Sequence, residues 1–327
     1  MQIVIDKFGT FIGKTENRFQ IKTKEKKEEY SADIVTQILI TSPCTISAGA
    51  VKLAMEKEID IVYTNYFGTP YARIYPCKLG GTTLTRRRQL EAYYSDKGQI
   101  LVKNFIKAKT RNQLYLLKSL SRERNNLFSA EIKELELNKD NVDNLKGKID
   151  DLRQELLGME GYFASKYFEC LAKIIPFETR DRKSEDAFNI MLNYGYGILD
   201  NEIERACIIS GLDPYLGFLH TDRYGKPCMT LDLIEEFRQP IVDRAIITLF
   251  SQKQIDDKHF ESVEDKYMLS ESGRKKVLEA VLGRLTKKIK FKNRKLTFKQ
   301  VILEQARNIV RFLIDQTKSY ESFIYRW

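Results

Sequence analysis

The chain has 327 residues, which is enough for two domains that each bury a core of their own. Its formal net charge is +10, which favours a polyanionic partner such as a nucleic acid. No apolar run is long enough to cross a bilayer, the N-terminus lacks the features of a signal peptide, and the five cysteines form no C-x-x-C pair. We therefore expect a soluble cytoplasmic protein with no membrane association, no zinc ribbon and no disulfide framework.

Residues 1–76 carry the short alternating apolar runs of a small β-rich domain. A helix is predicted over residues 47–55, with Ser47 as its N-cap. The predicted strands cover residues 2–5, 10–14, 18–23, 33–40, 59–63 and 71–74, with a turn at 67–70. Because this region shows no catalytic constellation, we expect it to act as a scaffold or a dimerisation domain.

Residues 77–85 include the run Gly80-Gly81-Thr82-Thr83, which has the composition of a linker. From residue 86 to residue 327 the pattern is helical almost throughout. Apolar spacing over 85–120 predicts one or two amphipathic helices, and a heptad seam from Val142 to Phe163 predicts a helix packed in a hairpin or bundle. The predicted fold class is α+β: a small N-terminal β-rich domain followed by a larger all-α catalytic domain.

Glu160 lies beside the heptad seam, in a small and apolar neighbourhood between Gly158 and Gly161. A glutamate that flanks a buried stripe usually faces water. The two glycines favour a different role, because helix-weakening residues are tolerated where the backbone must approach another group closely. Both interpretations of Glu160 stay open from the residues alone.

The stretch from Gly217 to Pro240 contains His220, one of two histidines in the chain, followed by a loop and a helix with three acids. Those acids are Asp232, Glu235 and Glu236. First-turn acids are also favoured by the helix dipole and can simply face water. Apolar neighbours make a partnered carboxylate the better interpretation, and an imidazole with carboxylates suits Mg²⁺ or Mn²⁺. The sequence does not decide between Glu235 and Glu236.

Basic residues cluster at 86–88, 103–111 and 287–292. Each cluster alone is typical of a solvated surface, but three in one chain favour contacts with phosphates. A further basic loop at 180–183 enters a helix with tyrosines, which fits either a phosphate clamp or an ordinary surface loop. The candidate DNA-binding residues are Arg86, Arg87, Arg88, Lys109, Arg180, Arg182, Lys183, Tyr194, Arg223 and Arg238.

An ordered set of short motifs runs through the helical region. It comprises Arg87-Arg88-Gln89-Leu90, Ala108-Lys109 with Asn112-Gln113, Met159-Glu160-Gly161 with Ala164, Asn193-Tyr194-Gly195-Tyr196, Gly211-Leu212-Asp213-Pro214 through Gly217-Phe218-Leu219-His220, and Leu231 to Arg238. The set resembles the CRISPR-associated integrase family, the Cas-one endonucleases of spacer acquisition. Two departures are Lys183-Ser184, where the family often has Pro-Pro, and Cys228-Met229-Thr230, where it has Ser-Leu-Ala.

The resemblance implies that Glu160, His220 and Glu235 bind a divalent metal, Mg²⁺ or Mn²⁺, and that Asp232 is a further catalytic acid. It implies a homodimer through the N-terminal domain and a small Cas-two partner that bridges two such dimers, in the prokaryotic cytoplasm. The implied activity is that of a metal-dependent DNA endonuclease and integrase, which inserts short DNA fragments into a CRISPR repeat array by 3′-hydroxyl attack on a phosphodiester. The alternatives are a general metal-dependent nuclease acting on branched DNA and a non-catalytic nucleic-acid-binding scaffold.

Overall fold

The computed structural model describes residues 1–65, 70–76, 82–184, 186–220, 225–263 and 266–327. The chain divides into two compact units, Met1–Leu79 and Gly80–Trp327. The first unit is built from strands with one helix, and the second is built mainly from helices. The predicted α+β fold class is therefore confirmed. No helix in the described part of the chain is long and apolar enough to cross a membrane.

The first unit contains two four-stranded sheets. In one sheet, β1 (Gln2–Ile5), β5 (Gln37–Ile40) and β7 (Asp60–Thr64) run parallel, and β8 (Pro70–Ile74) pairs antiparallel with β7. The other sheet has the order β4 (Lys27–Ser31), β3 (Arg18–Lys22), β2 (Thr10–Thr15) and β6 (Cys44–Ile46). Apolar residues of both sheets and of helix α1 (Ala48–Glu56) form one buried core.

Most of the predicted elements of this unit are present. Ser47 caps α1, since its side chain accepts the backbone N–H of Ala50 at 3.2 Å. The strand predicted from residue 33 is wrong at its start, because Ala32–Ile34 form a single 3₁₀ turn and β5 begins at Gln37. Strands β4 and β6 were not predicted, since β4 is rich in charge and β6 is only three residues long. Residues 66–69, which hold most of the predicted turn, lie outside the described residues.

The second unit is organised around the long helix α3 (Asp96–Arg122), which is buried on several faces and packs against α6 (Ile149–Ala172). Its apolar positions Leu101, Phe105 and Leu116 are fully buried. The helices of this unit are α2 (Thr82–Tyr93), α3 (Asp96–Arg122), α4 (Ser129–Asn138), α5 (Asn141–Asn144), α6 (Ile149–Ala172), α7 (Ala187–Ser210), α8 (Cys228–Leu233), α9 (Arg244–Ser251), α10 (Glu271–Thr286) and α11 (Phe298–Leu313).

Three predictions for this unit need correction. Helix α2 begins at Thr82, so the predicted linker is already helical from that residue, and residues 77–81 lie outside the described part. The heptad seam is broken between α5 and α6, where Gly147 has a φ of +145° that a side chain would disfavour. The unit also contains two short hairpins, β9 (Phe260–Val263) with β10 (Lys266–Leu269) and β11 (Lys288–Phe291) with β12 (Arg294–Thr297).

The segment that carries the acids is not one regular helix. Helix α8 tightens into a 3₁₀ turn over Ile234–Glu236 and then widens into a π-helical turn over Arg238–Asp243 before α9 begins. Pro240 lies inside the π-helical turn. Proline has no backbone N–H and its ring collides with the preceding turn of an α-helix, so the backbone widens there. These changes in winding direct neighbouring acids toward different surroundings.

Candidate active site

Three elements of the helical unit bring Lys109, Glu160 and Glu235 together. Lys109 comes from α3, Glu160 from α6, and Glu235 from the 3₁₀ turn that follows α8. The Lys109 ammonium forms an ion pair with Glu160 Oε1, and its Nζ lies 2.7 Å from Glu235 Oε2. Lys109 and Glu235 are buried, whereas the Glu160 side chain is 18% exposed. One cation therefore bridges two of the three predicted metal ligands.

Both members of the buried pair carry charge. Burial alone would lower the pKa of Lys109, but the negative charges of Glu235 and Glu160 outweigh burial and raise this pKa above its ordinary value. Burial alone would raise the pKa of Glu235, but the Arg238 and Lys109 charges outweigh it and hold this pKa below its usual range. The site is thus a compact set of opposite charges in a poorly hydrated place.

The two carboxylate oxygens of Glu235 have different partners. Arg238 Nε donates a hydrogen bond to Oε1 at 2.9 Å. Oε2 has the ion pair with Lys109, whose Nζ lies 2.7 Å away. Each oxygen of this buried carboxylate is therefore held by one cationic side chain.

Arg238 is itself held by aromatic and acidic neighbours. Its guanidinium carbon lies 4.6 Å from the centre of the Tyr196 ring. The Tyr196 hydroxyl donates to Asp243 Oδ1 at 2.6 Å, and the Tyr167 hydroxyl donates to Asp243 Oδ2 at 2.8 Å. Because Asp243 is fully buried, this network fixes the ring against which Arg238 packs.

His220 is fixed by Asp232. Its Nδ1 lies 2.7 Å from Asp232 Oδ1, and the same carboxylate accepts the backbone N–H groups of Phe218, Leu219 and His220 at 2.6 to 3.0 Å. Burial alone would lower the pKa of His220, but Asp232, Glu235 and Glu160 outweigh it and raise this pKa. Asp232 is fully buried behind the histidine, so it orients the imidazole and leaves Nε2 available as a ligand atom.

Glu236 faces away from Lys109, Glu160 and Glu235. It accepts hydrogen bonds from the Tyr320 hydroxyl, from Gln305 Nε2 at 2.9 Å and from the Phe323 backbone N–H at 2.8 Å. Burial raises the pKa of Glu236 to about 7 even though these donors act in the opposite direction. The structure therefore answers the question that the sequence left open: Glu235, and not Glu236, lies beside Lys109 and Glu160.

Asn112, from the motif on α3, links two parts of the unit. Its amide donates to the Glu236 carbonyl at 2.9 Å and to the Phe323 carbonyl at 3.1 Å, and it accepts the Tyr325 N–H at 2.8 Å. The neighbouring Gln113 is 1% exposed, and neither of its amide atoms has a hydrogen-bond partner. Sequence reasoning missed the roles of Tyr320, Gln305 and the C-terminal segment, because these partners lie far from Glu236 along the chain.

The basic candidates for DNA binding fall into two groups. The exposed group consists of Arg86, Arg87, Arg88, Arg182 and Lys183. Arg88 also pairs with Glu91 at 2.7 Å on the same helix. Surface positions such as these are available to phosphates, and DNA binding by them stays a prediction.

The second group is buried or engaged within the unit. Arg180 donates to the side chains of Asn189 and Asn193 at 2.7 and 2.6 Å, and burial raises the pKa of Tyr194 to about 12. Lys109 and Arg238 form ion pairs with Glu235. Arg223 lies outside the described residues.

The residues of the cluster fit a hard divalent ion. Two carboxylates and one imidazole are ligands that Mg²⁺ and Mn²⁺ accept, and a cation, the Lys109 ammonium, already lies against both carboxylates. As the side chains are placed, no three His, Cys, Asp or Glu residues in the described ranges stand close enough to hold a metal ion. Lys109 occupies the space between the two carboxylates. The space beside Gly158 and Gly161 is open, which leaves an approach along the surface of α6.

Comparison with known proteins extends over nearly the whole chain. The sequence profile of the family described as "CRISPR associated protein Cas1" matches residues 3–282. The CRISPR-associated endonuclease Cas1 1 of Archaeoglobus fulgidus is 35% identical, with 100% of each chain covered. The CRISPR-associated endonuclease Cas1 1 of Pyrobaculum aerophilum is 32% identical over 87% of this chain and 93% of the relative.

The fold is also similar to that of solved structures. A casposase bound to integration product matches with a TM-score of 0.82 at 24% identity, covering 98% of this chain and 92% of the casposase chain. At this level of identity the match shows a shared fold.

Proposed function

Because the chain belongs to the CRISPR-associated Cas1 family, we propose that it is a metal-dependent DNA integrase and endonuclease that inserts short DNA fragments into a repeat array. The observations that support the proposal are that Lys109 pairs with both Glu160 and Glu235, and that the charges of both glutamates act on His220, which Asp232 fixes. In this proposal Glu160, His220 and Glu235 bind a divalent ion, Mg²⁺ or Mn²⁺. Relatives named as endonucleases support the assignment of an enzyme.

The proposed reaction is an exchange of phosphodiester bonds. The 3′-hydroxyl of an incoming DNA strand attacks a phosphorus atom of the target strand, a new P–O bond forms, and the target's own 3′-oxygen leaves and takes up a proton. With water as the nucleophile, the same site would cleave the strand instead. A divalent ion held by the two glutamates and His220 supplies Lewis-acid stabilisation of the charge that develops on the phosphoryl oxygens.

The chain's own residues position the ligands. Asp232 holds the His220 ring through Nδ1, so the ring keeps one orientation with Nε2 free. Arg238 holds Glu235 Oε1 at 2.9 Å, which leaves Oε2 as the atom that can bind a cation. The exposed basic residues Arg86, Arg87, Arg88, Arg182 and Lys183 would contact DNA phosphates and place the strand.

The partners belong to the same proposal. Neighbours in fold include a complex described as "Cas6-RT-Cas1--Cas2", in which this chain matches 36% of the fused chain with a TM-score of 0.79, and the casposase bound to integration product. We propose that this chain binds DNA and a Cas2-type partner, pairs with a second copy through its N-terminal unit, and works in the prokaryotic cytoplasm. The helical unit would then be the catalytic domain.

The test is a strand-transfer assay with a labelled duplex that carries a free 3′-hydroxyl and a plasmid that contains a repeat. Reactions with Mn²⁺, with Mg²⁺ and with a chelator are compared for the wild type and for His220→Ala. Metal-dependent joined product that the variant loses supports an integrase. Cleavage without joining would favour the general nuclease, and DNA binding without any chemistry would favour the scaffold.

A further inference from the structure

Lys109 stands in the one place where a divalent ion bound by both glutamates would have to lie. Its ammonium contacts Glu160 Oε1 and lies 2.7 Å from Glu235 Oε2, so it touches one oxygen of each carboxylate. Oxygen ligands stand about 2.0–2.1 Å from Mg²⁺ in proteins. An ion at that distance from these two oxygens would be in contact with the ammonium nitrogen.

The two cations would also repel each other strongly. The Lys109 side chain is 11% exposed and that of Glu235 is 2% exposed, so little water is present to screen the charges. Opposite charges stabilise each other where water is scarce, whereas two cations at contact distance repel each other strongly. The ammonium and a divalent ion are therefore alternative occupants of the same pair of oxygens.

We propose that Lys109 is an exchangeable internal cation, whose ammonium fills the position between Glu160 and Glu235 until a divalent ion displaces it. This inference rests on the proposed function, in that it takes the two glutamates as metal ligands. It explains why the described residues form no ready metal cluster although the ligand types are correct. It also gives both carboxylates a cationic partner in the absence of a metal.

Gln113 offers an acceptor for the displaced ammonium. Gln113 lies four residues after Lys109 on α3, hence on the same face one turn along. Its side chain is buried, and its amide oxygen has no hydrogen-bond partner. Helical side chains lean toward the preceding turn, which for Gln113 is the turn that carries Lys109. An unpartnered acceptor of this kind would satisfy the ammonium after it leaves the carboxylates.

The test is the affinity for Mn²⁺ alone, measured by calorimetry on the full chain. The variant is Lys109→Met, and the matched control is Lys107→Met, which removes a charge from the same helix where Lys107 pairs with Asp143. We expect Lys109→Met to bind Mn²⁺ about tenfold or more tightly than the wild type, because the competitor is gone, and Lys107→Met to stay within about twofold. Equal or weaker binding by Lys109→Met would overturn the proposal.

A second measurement needs no variant. Acetylation of lysines in the wild type, mapped by mass spectrometry, should modify Lys109 at a different rate with Mn²⁺ than with chelator, relative to Lys107, because its ammonium leaves the two carboxylates. Unchanged reactivity of Lys109 at saturating Mn²⁺ would also overturn the exchange. If the wild type and Lys109→Met both fail to bind Mn²⁺, the metal site and the proposed function fail together. If both bind with equal affinity, only the role of Lys109 fails.

Discussion

His220 Nδ1 lies 2.7 Å from Asp232 Oδ1, and Asp232 also accepts the backbone N–H of His220 at 3.0 Å. One buried carboxylate thus holds both the ring and the backbone of the predicted ligand. From this contact we propose that Asp232 is a positioning residue, which acts through the histidine rather than on the substrate. The resemblance implied instead that Asp232 is a further catalytic acid.

Asp232→Asn should weaken metal binding without abolishing DNA binding. An asparagine amide places an N–H donor among the four N–H groups that now donate to the carboxylate, so the ring loses its fixed orientation. We expect the affinity for Mn²⁺ to fall about 10–100-fold, the range seen when a histidine ligand loses its partner. Calorimetry measures it, with the exposed Asp151→Asn on α6 as the control. Unchanged affinity would show that Asp232 does not orient His220.

Glu236 should make the stability of the protein depend on pH. Burial raises its pKa from 4.5 to about 7, so folding binds a proton between these values. The stabilisation is complete below pH 4.5 and is lost as the pH rises through 7, a difference of about 3 kcal/mol. Urea unfolding at pH 5.5 and pH 8 measures the part of this difference that lies between the two pH values, about 2 kcal/mol. In Glu236→Gln this contribution disappears, so the variant should lose less stability than the wild type between the two pH values. Equal losses in the two proteins would contradict the shift.

Gly161 follows Glu160 directly, and its change to alanine should raise the stability of the protein while it lowers strand transfer. Open space lies beside its Cα, as it does beside Gly283 on α10, and neither glycine has a positive φ. Each change to alanine should stabilise its helix by about 0.5–1 kcal/mol. We expect only Gly161→Ala to lose strand transfer, because DNA must approach Glu160 along that surface. If both variants retain full strand transfer, Gly161 has no role in the approach of DNA to Glu160.

The N-cap of α1 could be predicted from the sequence because the capping residue lies next to the helix that it caps. Ser47 caps α1, as side-chain chemistry at a helix start predicts. The heptad seam failed at Gly147, because apolar spacing continued across a residue whose backbone breaks the helix. Strand β4 was missed since its charged sequence gives no apolar alternation.

The candidate site divides in the same way, into residues that the sequence identified and contacts that it did not. Motifs on separate segments identified Glu160, His220 and Glu235 as candidates, but not their contacts. The pairing of Lys109 with both glutamates depends on α3 packing against α6 and on the 3₁₀ turn after α8, and neither is encoded in nearby residues. The separation of Glu235 from Glu236 depends on Tyr320 and Gln305, which lie more than sixty residues away along the chain.

The most direct test of the account is strand transfer by Glu160→Ala beside Glu155→Ala, an exposed glutamate on the same helix. DNA binding is measured in parallel by anisotropy, and the reactions contain Mn²⁺. Since Glu160 is a proposed metal ligand, Glu160→Ala should lose joined product by a factor of about a thousand or more while its DNA affinity stays within about threefold of the wild type. Glu155→Ala should match the wild type in both. Wild-type strand transfer by Glu160→Ala would contradict a metal site built on the carboxylates that Lys109 bridges.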